Sequence, residues 1–183
     1  MAIVLYITAY LIGNLRFAYL TTYLFNLKSP HAYGSKNPGA TNIGRQNKLA
    51  GFLTFILDAF KVVLSYSVSL YFSDSTTAAW CGMITTIGHI YPLDGYGGKG
   101  VACWLGFLFI MSPQMACFFL VTLLLFHRFV KNLGMGSLVC VSLSMLYPPQ
   151  ALNDIQIMAW YVVCAVILFS HRSNLKALIQ SMT

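Results

Sequence analysis

The chain has 183 residues, of which 58% are hydrophobic and only 8% charged. Soluble domains carry roughly a quarter charged residues, so a surface this poor in charge cannot be mostly wet. Eleven Lys and Arg against four Asp and no Glu leave a net charge of +7. The cations are scattered between apolar runs and form no dense basic stripe, which argues against a nucleic-acid partner.

Crossing a bilayer takes roughly 20 apolar residues, fewer where a helix is tilted or lined by protein. Apolar runs at about 2–25, 50–72, 77–92, 100–112, 114–128, 133–147 and 155–170 are the candidates. The first lacks a basic leader and a small-residue cleavage site, so it reads as a span and not as a cleaved signal peptide. Pro113 separates the fourth run from the fifth. Five spans are the conservative count, and seven fit the punctuation better. The expectation is an all-α, polytopic transmembrane bundle of about seven spans, forming one domain over residues 1–183.

Charge sets the expected orientation. With the N-terminus outside and the C-terminus cytoplasmic, Lys28, Lys36, Arg45, Lys48, Lys99, Arg128, Lys131, Arg172 and Lys176 all fall inside. Only Arg16 and Lys61 lie within apolar runs, and the outer loops 73–76 and 148–154 hold Asp74 and Asp154 but no cation. That bias is the positive-inside pattern. The inner loops are also the long, polar, Gly-rich ones, so function is expected at the cytoplasmic face.

Three stretches carry chemistry. Residues 33–45 combine Gly34, Gly39 and Gly44 with Pro38, hydrogen-bonding Ser35, Asn37, Thr41 and Asn42, and Arg45. This composition suits either an anion cradle or an ordinary turn-rich loop. Residues 88–102 contain Gly97-Gly98-Lys99-Gly100 ahead of an apolar run. Consecutive glycines bring backbone N–H groups close to an oxyanion, and Lys99 adds a charge beside a helix start. Because Gly100 follows Lys99, no nucleotide-hydrolysing P-loop is present. The third stretch is His171-Arg172-Ser173-Asn174, where Arg172 fits a topology signal but His171 and Asn174 do not.

Other features have plainer readings. Asp58 and Lys61, three apart, share a helical face and are expected to pair inside the bundle. Arg16 is expected to snorkel or reach a polar cavity, and His127-Arg128 to anchor at an interface. His89 and Asp94 have the H-x-x-x-x-D spacing of an acyltransferase dyad, a pattern that also arises by chance. The five cysteines lack C-x-x-C or zinc spacing, so no metal is expected.

Taken together, Gly34-Ser35-x-Asn37-Pro38-Gly39-Ala40-Thr41-Asn42 with Arg45, Gly88-His89-x-x-Pro92 with Gly97-Gly98-Lys99-Gly100-Val101-Ala102, and His171-Arg172-x-Asn174 resemble three ordered motifs. They are those of the bacterial acyl-phosphate:glycerol-3-phosphate acyltransferase family, and the resemblance covers essentially the whole chain. Asp58-x-x-Lys61 also matches, whereas Lys36 stands where the family usually has glycine, and the segment between Pro92 and Gly97 is shorter.

The resemblance implies transfer of a fatty acyl group from acyl phosphate to the 1-hydroxyl of glycerol 3-phosphate. The products are lysophosphatidic acid and phosphate, made for phospholipid biosynthesis at the bacterial inner membrane. It implies catalytic roles for Ser35, His171 and Asn174. Substrate binding falls to Arg45, Asn37, Thr41, Asn42, Gly97, Gly98, Lys99 and Gly100. No cofactor is implied, and the partners are the two substrates, the bilayer and a protein that supplies acyl phosphate. An anion transporter with the same cationic loops, or a binding homologue without catalysis, are the alternatives.

Overall fold

The computed structural model describes residues 1–130 and 132–174. Lys131 and Lys176, two of the cations assigned above to inner loops, lie outside them. The described residues are helical and contain no strand. The chain divides into two compact units, Met1–Phe107 and Leu108–Thr183.

The first unit runs α1 (Ala2–Gly13), α2 (Phe17–Leu24), a 3-10 turn (Pro30–Ala32), α3 (Ala40–Gly44), α4 (Lys48–Phe72), α5 (Ser75–Ile90) and the start of α6 (Val101–Met111). Helix starts are set by side-chain caps: Asn47 accepts from the Ala50 N–H at 3.0 Å and Asp74 from the Thr77 N–H at 2.8 Å. Helix α4 is inside-out by the standard of a soluble protein. Its buried face carries Gly51, Thr54, Asp58, Lys61, Ser65 and Ser69, while Phe52, Ile56, Phe60 and Leu64 point outward. Helix α1 likewise exposes Ile3, Ile7 and Leu11 and buries Leu5, Ala9 and Gly13. Apolar residues face out because lipid, unlike water, exacts no penalty for them; polar ones face in because only protein can satisfy them.

The polar inner face is used. Thr54 and Thr21 are hydrogen-bonded at 2.7 Å, tying α4 to α2, and Thr85 donates to the Ala9 carbonyl at 3.0 Å, tying α5 to α1. Such interhelical bonds are each worth about 0.6 kcal/mol on average in a membrane. Helices α1 and α5 cross at Gly13 and Gly88, where a Cβ on Gly13 would lie 2.9 Å from the Gly88 Cα. Only glycine permits that approach.

The run expected as one span over 2–25 is two helices. Gly13 and Leu15 direct their carbonyls to the Lys61 ammonium, at 3.0 and 2.9 Å, and Asn14 accepts from the Leu93 N–H at 2.7 Å. With the carbonyls taken by a buried donor, the helix ends without orphaned groups. The remaining expected spans match α4 to α9 closely. By length and composition, Ala2–Leu24 taken together, Lys48–Phe72 and Pro113–Val130 suffice to cross a membrane. Val101–Met111, Leu133–Leu146 and Asp154–Ser170 are shorter apolar helices.

The second unit holds the end of α6, then α7 (Pro113–Val130), α8 (Leu133–Leu146) and α9 (Asp154–Ser170). Asn153 and Gln156 form a reciprocal capping box at the start of α9. Trp160, fully buried on α9, donates from its indole to the Ser144 carbonyl of α8.

Candidate active site

The first Gly-rich loop is shaped from within by Asn42. This residue is buried; its amide donates to the carbonyls of Pro30 and Tyr33, both at 3.0 Å, and its Oδ1 accepts from the Ser35 N–H at 3.0 Å. Both amide hydrogens are therefore committed inside the loop, and Asn42 holds the loop's shape through these three bonds. Gln46 closes the loop by pairing its side-chain amide with both backbone groups of Lys28. What the loop presents outward is Ser35, Thr41 and Arg45, with Asn37 half-buried. The Arg45 guanidinium lies across Gly34, its Nη1 3.3 Å from where a Cβ on that glycine would stand.

The second loop rests on a buried ionic platform. The Lys61 ammonium approaches Asp58 Oδ1 at 3.2 Å and His89 Nδ1 at 2.7 Å, besides the Gly13 and Leu15 carbonyls. An ammonium only donates, so His89 Nδ1 accepts and the neutral ring carries its hydrogen on Nε2. That ring edge lies against Gly98: a Cβ there would come 2.8 Å from the imidazole Cε1. The Gly98 N–H donates to the His89 carbonyl at 3.1 Å. Gly100 then adopts a left-handed φ of 84°, turning the chain into α6 with the first-turn N–H groups of that helix beside Lys99.

The expected Asp58–Lys61 pair is thus present, with His89 as an unforeseen third member. The His89–Asp94 dyad is not formed. Asp94 pairs with Arg16 at the α1–α2 break, while His89 is sealed against Lys61 and Asp58.

Arg45 and Lys99 come from different loops yet act on one another. Burial first, and then the Arg45 charge, lower the Lys99 pKa from the usual lysine value. Gly97, Gly98 and Gly100 line the same loop as Lys99.

In the second unit, His171 terminates α9 and is 3% exposed. Its Nδ1 lies 2.9 Å from the Ile167 carbonyl, which can only accept; a neutral ring therefore holds its hydrogen on Nδ1 and its lone pair on Nε2. The Asn174 N–H donates to the His171 carbonyl at 2.8 Å, and the Asn174 carboxamide covers Gly134 at the start of α8. Arg172 is exposed, over the Phe169 ring, and Arg128 lies over Phe129. Among the described residues no cluster of His, Cys and Asp suits a metal ion.

Fold and site define a class: a helical integral membrane protein with cationic, Gly-rich loops. A family model described as glycerol-3-phosphate acyltransferase matches residues 3–181, and the chain belongs to that family. A glycerol-3-phosphate acyltransferase of Anaplasma phagocytophilum is 35% identical, covering 98% of this chain and 96% of its own length. One from Bordetella avium is 36% identical over 98% of this chain and 90% of its own. The fold is similar to crystal structures of PlsY (YgiH), described as an integral membrane glycerol 3-phosphate acyltransferase. The glycerol 3-phosphate form superposes with a TM-score of 0.87 and the lysophosphatidic acid form with 0.85. Each is 30% identical and covers 98% of this chain and 92% of the other. Membership of an acyltransferase family sets aside the transporter considered above.

Proposed function

We propose that the chain acylates the 1-hydroxyl of glycerol 3-phosphate with acyl phosphate as donor, at a site facing the cytoplasm of a bacterial inner membrane. Acyltransfer to glycerol 3-phosphate, giving lysophosphatidic acid for phospholipid synthesis, is the activity of its family. What supports the finer reading is the pair of cationic, Gly-rich loops: Arg45 lies across Gly34 in the first, and Lys99 stands among Gly97, Gly98 and Gly100 in the second. Both substrates bring a phosphate to such a site. The cation distribution supports a seven-span topology with an outside N-terminus, in which these loops face the cytoplasm.

In this reading Ser35, Arg45 and Asn37 hold one phosphate, with Thr41 at the loop rim. Lys99 and the backbone N–H groups of Gly97 and Gly100 hold the other, while the Gly98 N–H stays on the His89 carbonyl and fixes the loop. The acyl phosphate is an activated anhydride, so the chemical demand is positioning, charge stabilisation and removal of one proton. The substrate hydroxyl oxygen attacks the acyl carbonyl carbon, its proton passes to the donor's own phosphate or to His171, and the carbonyl–phosphate bond breaks to release phosphate. Asn174, bonded through its backbone to His171, orients the glycerol backbone. The acyl chain lies along the apolar helices.

Purified protein in liposomes is to be given acyl phosphate and glycerol 3-phosphate, and lysophosphatidic acid followed by mass spectrometry. Arg45→Ala and His171→Ala are each expected to lose most of the activity; wild-type rates in both sink the site assignment. Equal product from acyl-CoA would overturn the donor.

A further inference from the structure

Resting on the reading that Ser35 serves the reaction, we infer that His31 is a positioning residue: it clamps the turn bearing Ser35 and couples that turn to the second loop. Ser35 sits between two left-handed residues, Gly34 at φ 54° and Lys36 at φ 57°. Glycine adopts that backbone freely, whereas lysine does so at a cost that neighbouring contacts must offset. The Lys36 N–H closes a turn onto the Tyr33 carbonyl at 3.0 Å, and the Lys36 carbonyl faces His31 Nδ1 at 3.2 Å. A carbonyl only accepts, so Nδ1 carries the hydrogen, and Nε2 of the neutral ring accepts from the Tyr19 hydroxyl.

The His31 ring is held on a third side. Tyr96, from the second loop, meets it edge-on with ring centroids 4.9 Å apart. The Tyr96 N–H donates to Asp94 Oδ1 at 3.3 Å, and Asp94 pairs with Arg16, whose guanidinium lies 4.8 Å over the Tyr19 ring. One imidazole therefore touches α2, the strained turn and the loop that carries Lys99. It stands outside the three motif stretches, and no substrate contact is needed for its effect. Released from His31, the Lys36 peptide is free to leave the left-handed region, and Ser35 swings with it.

The test combines activity with local proteolysis. His31→Ala is expected to lower kcat/KM for glycerol 3-phosphate about tenfold, chiefly through KM, as the loss of one positioning hydrogen bond predicts. Trypsin cleavage after Lys36, located by mass spectrometry, is expected to accelerate in the same variant. Two rescues distinguish positioning from a general loss of stability. His31→Asn places an amide donor near the Nδ1 position, and Lys36→Gly in the His31→Ala background removes the strain; each is expected to restore most of kcat/KM. Lys36→Gly alone is expected to match wild type. Wild-type kcat/KM in His31→Ala, or a loss that neither rescue recovers, overturns the clamp. Wild-type activity in Arg45→Ala would instead count against the proposed function.

Discussion

Replacing Lys61 with Met tests the buried platform under the second loop. The ammonium has four partners, the Gly13 and Leu15 carbonyls, His89 Nδ1 and Asp58, and is 1% exposed. Methionine fills similar space but leaves the Asp58 carboxylate without its ammonium and two helix-end carbonyls without a donor. Removing one partner of a buried ion pair costs about 3–5 kcal/mol, because the other is left uncompensated. At about 2–4 °C per kcal/mol for a chain of this size, the unfolding midpoint should fall by roughly 6–20 °C. The protein carries its own reporters, since Cys81, Cys103, Cys140 and Cys164 are buried thiols and Cys117 is exposed. A thiol-reactive fluorogenic dye in detergent should therefore show one early baseline signal and a cooperative rise on melting. Asp58→Asn/Lys61→Met removes the orphaned carboxylate and should recover about half the loss, the remainder being the two carbonyls. An unshifted midpoint in Lys61→Met, or a double variant no better than the single, would refute the account.

Other outcomes follow from the two loops. Because the Lys99 pKa is lowered in the fold, its charge costs stability at neutral pH. That cost is relieved as pH rises through the lowered value, whereas anion binding by Lys99 is complete below it and lost above it. KM for glycerol 3-phosphate or acyl phosphate should thus climb on the alkaline side, and Lys99→Arg should abolish that limb; an identical limb in the variant counts against Lys99. Gly98→Ala should lower kcat/KM by about a hundredfold, since the added Cβ meets a His89 ring pinned by Lys61 and must displace the loop by roughly an ångström. Asn42→Ala should lose activity and also stability, by about 1–3 kcal/mol for the groups left unsatisfied. Intact stability with lost activity would return Asn42 to direct substrate contact.

Much of the protein is legible in its sequence because membrane constraints act locally. A helix must satisfy its own backbone in lipid, so apolar length and Gly or Pro punctuation located α4 to α9 without tertiary information. The three motif stretches are contiguous, and their residue types state their chemistry. Asp58 and Lys61 were readable as a pair because three residues on a helix place them on one face.

What only the folded chain decided are contacts between residues far apart in sequence. The break at Gly13–Arg16 is held by Lys61, some 48 residues away; Gly13-Asn14 is a local stop signal, but the donor that satisfies the helix end comes from the fold. The spacing of His89 and Asp94 matches a dyad pattern that also arises by chance. The fold instead gives His89 to Lys61, and Asp94 to Arg16. Asn42 is one of several hydrogen-bonding residues in its loop, and the fold turns its amide onto Pro30, Tyr33 and Ser35. His31 had no motif to mark it, and its three contacts arise where α2 and two loops meet. Sequence fixes which groups exist and on which helical face, since those follow from local periodicity. Partner choice among buried polar groups is settled by packing, where each must find whichever complementary atom the bundle brings within reach.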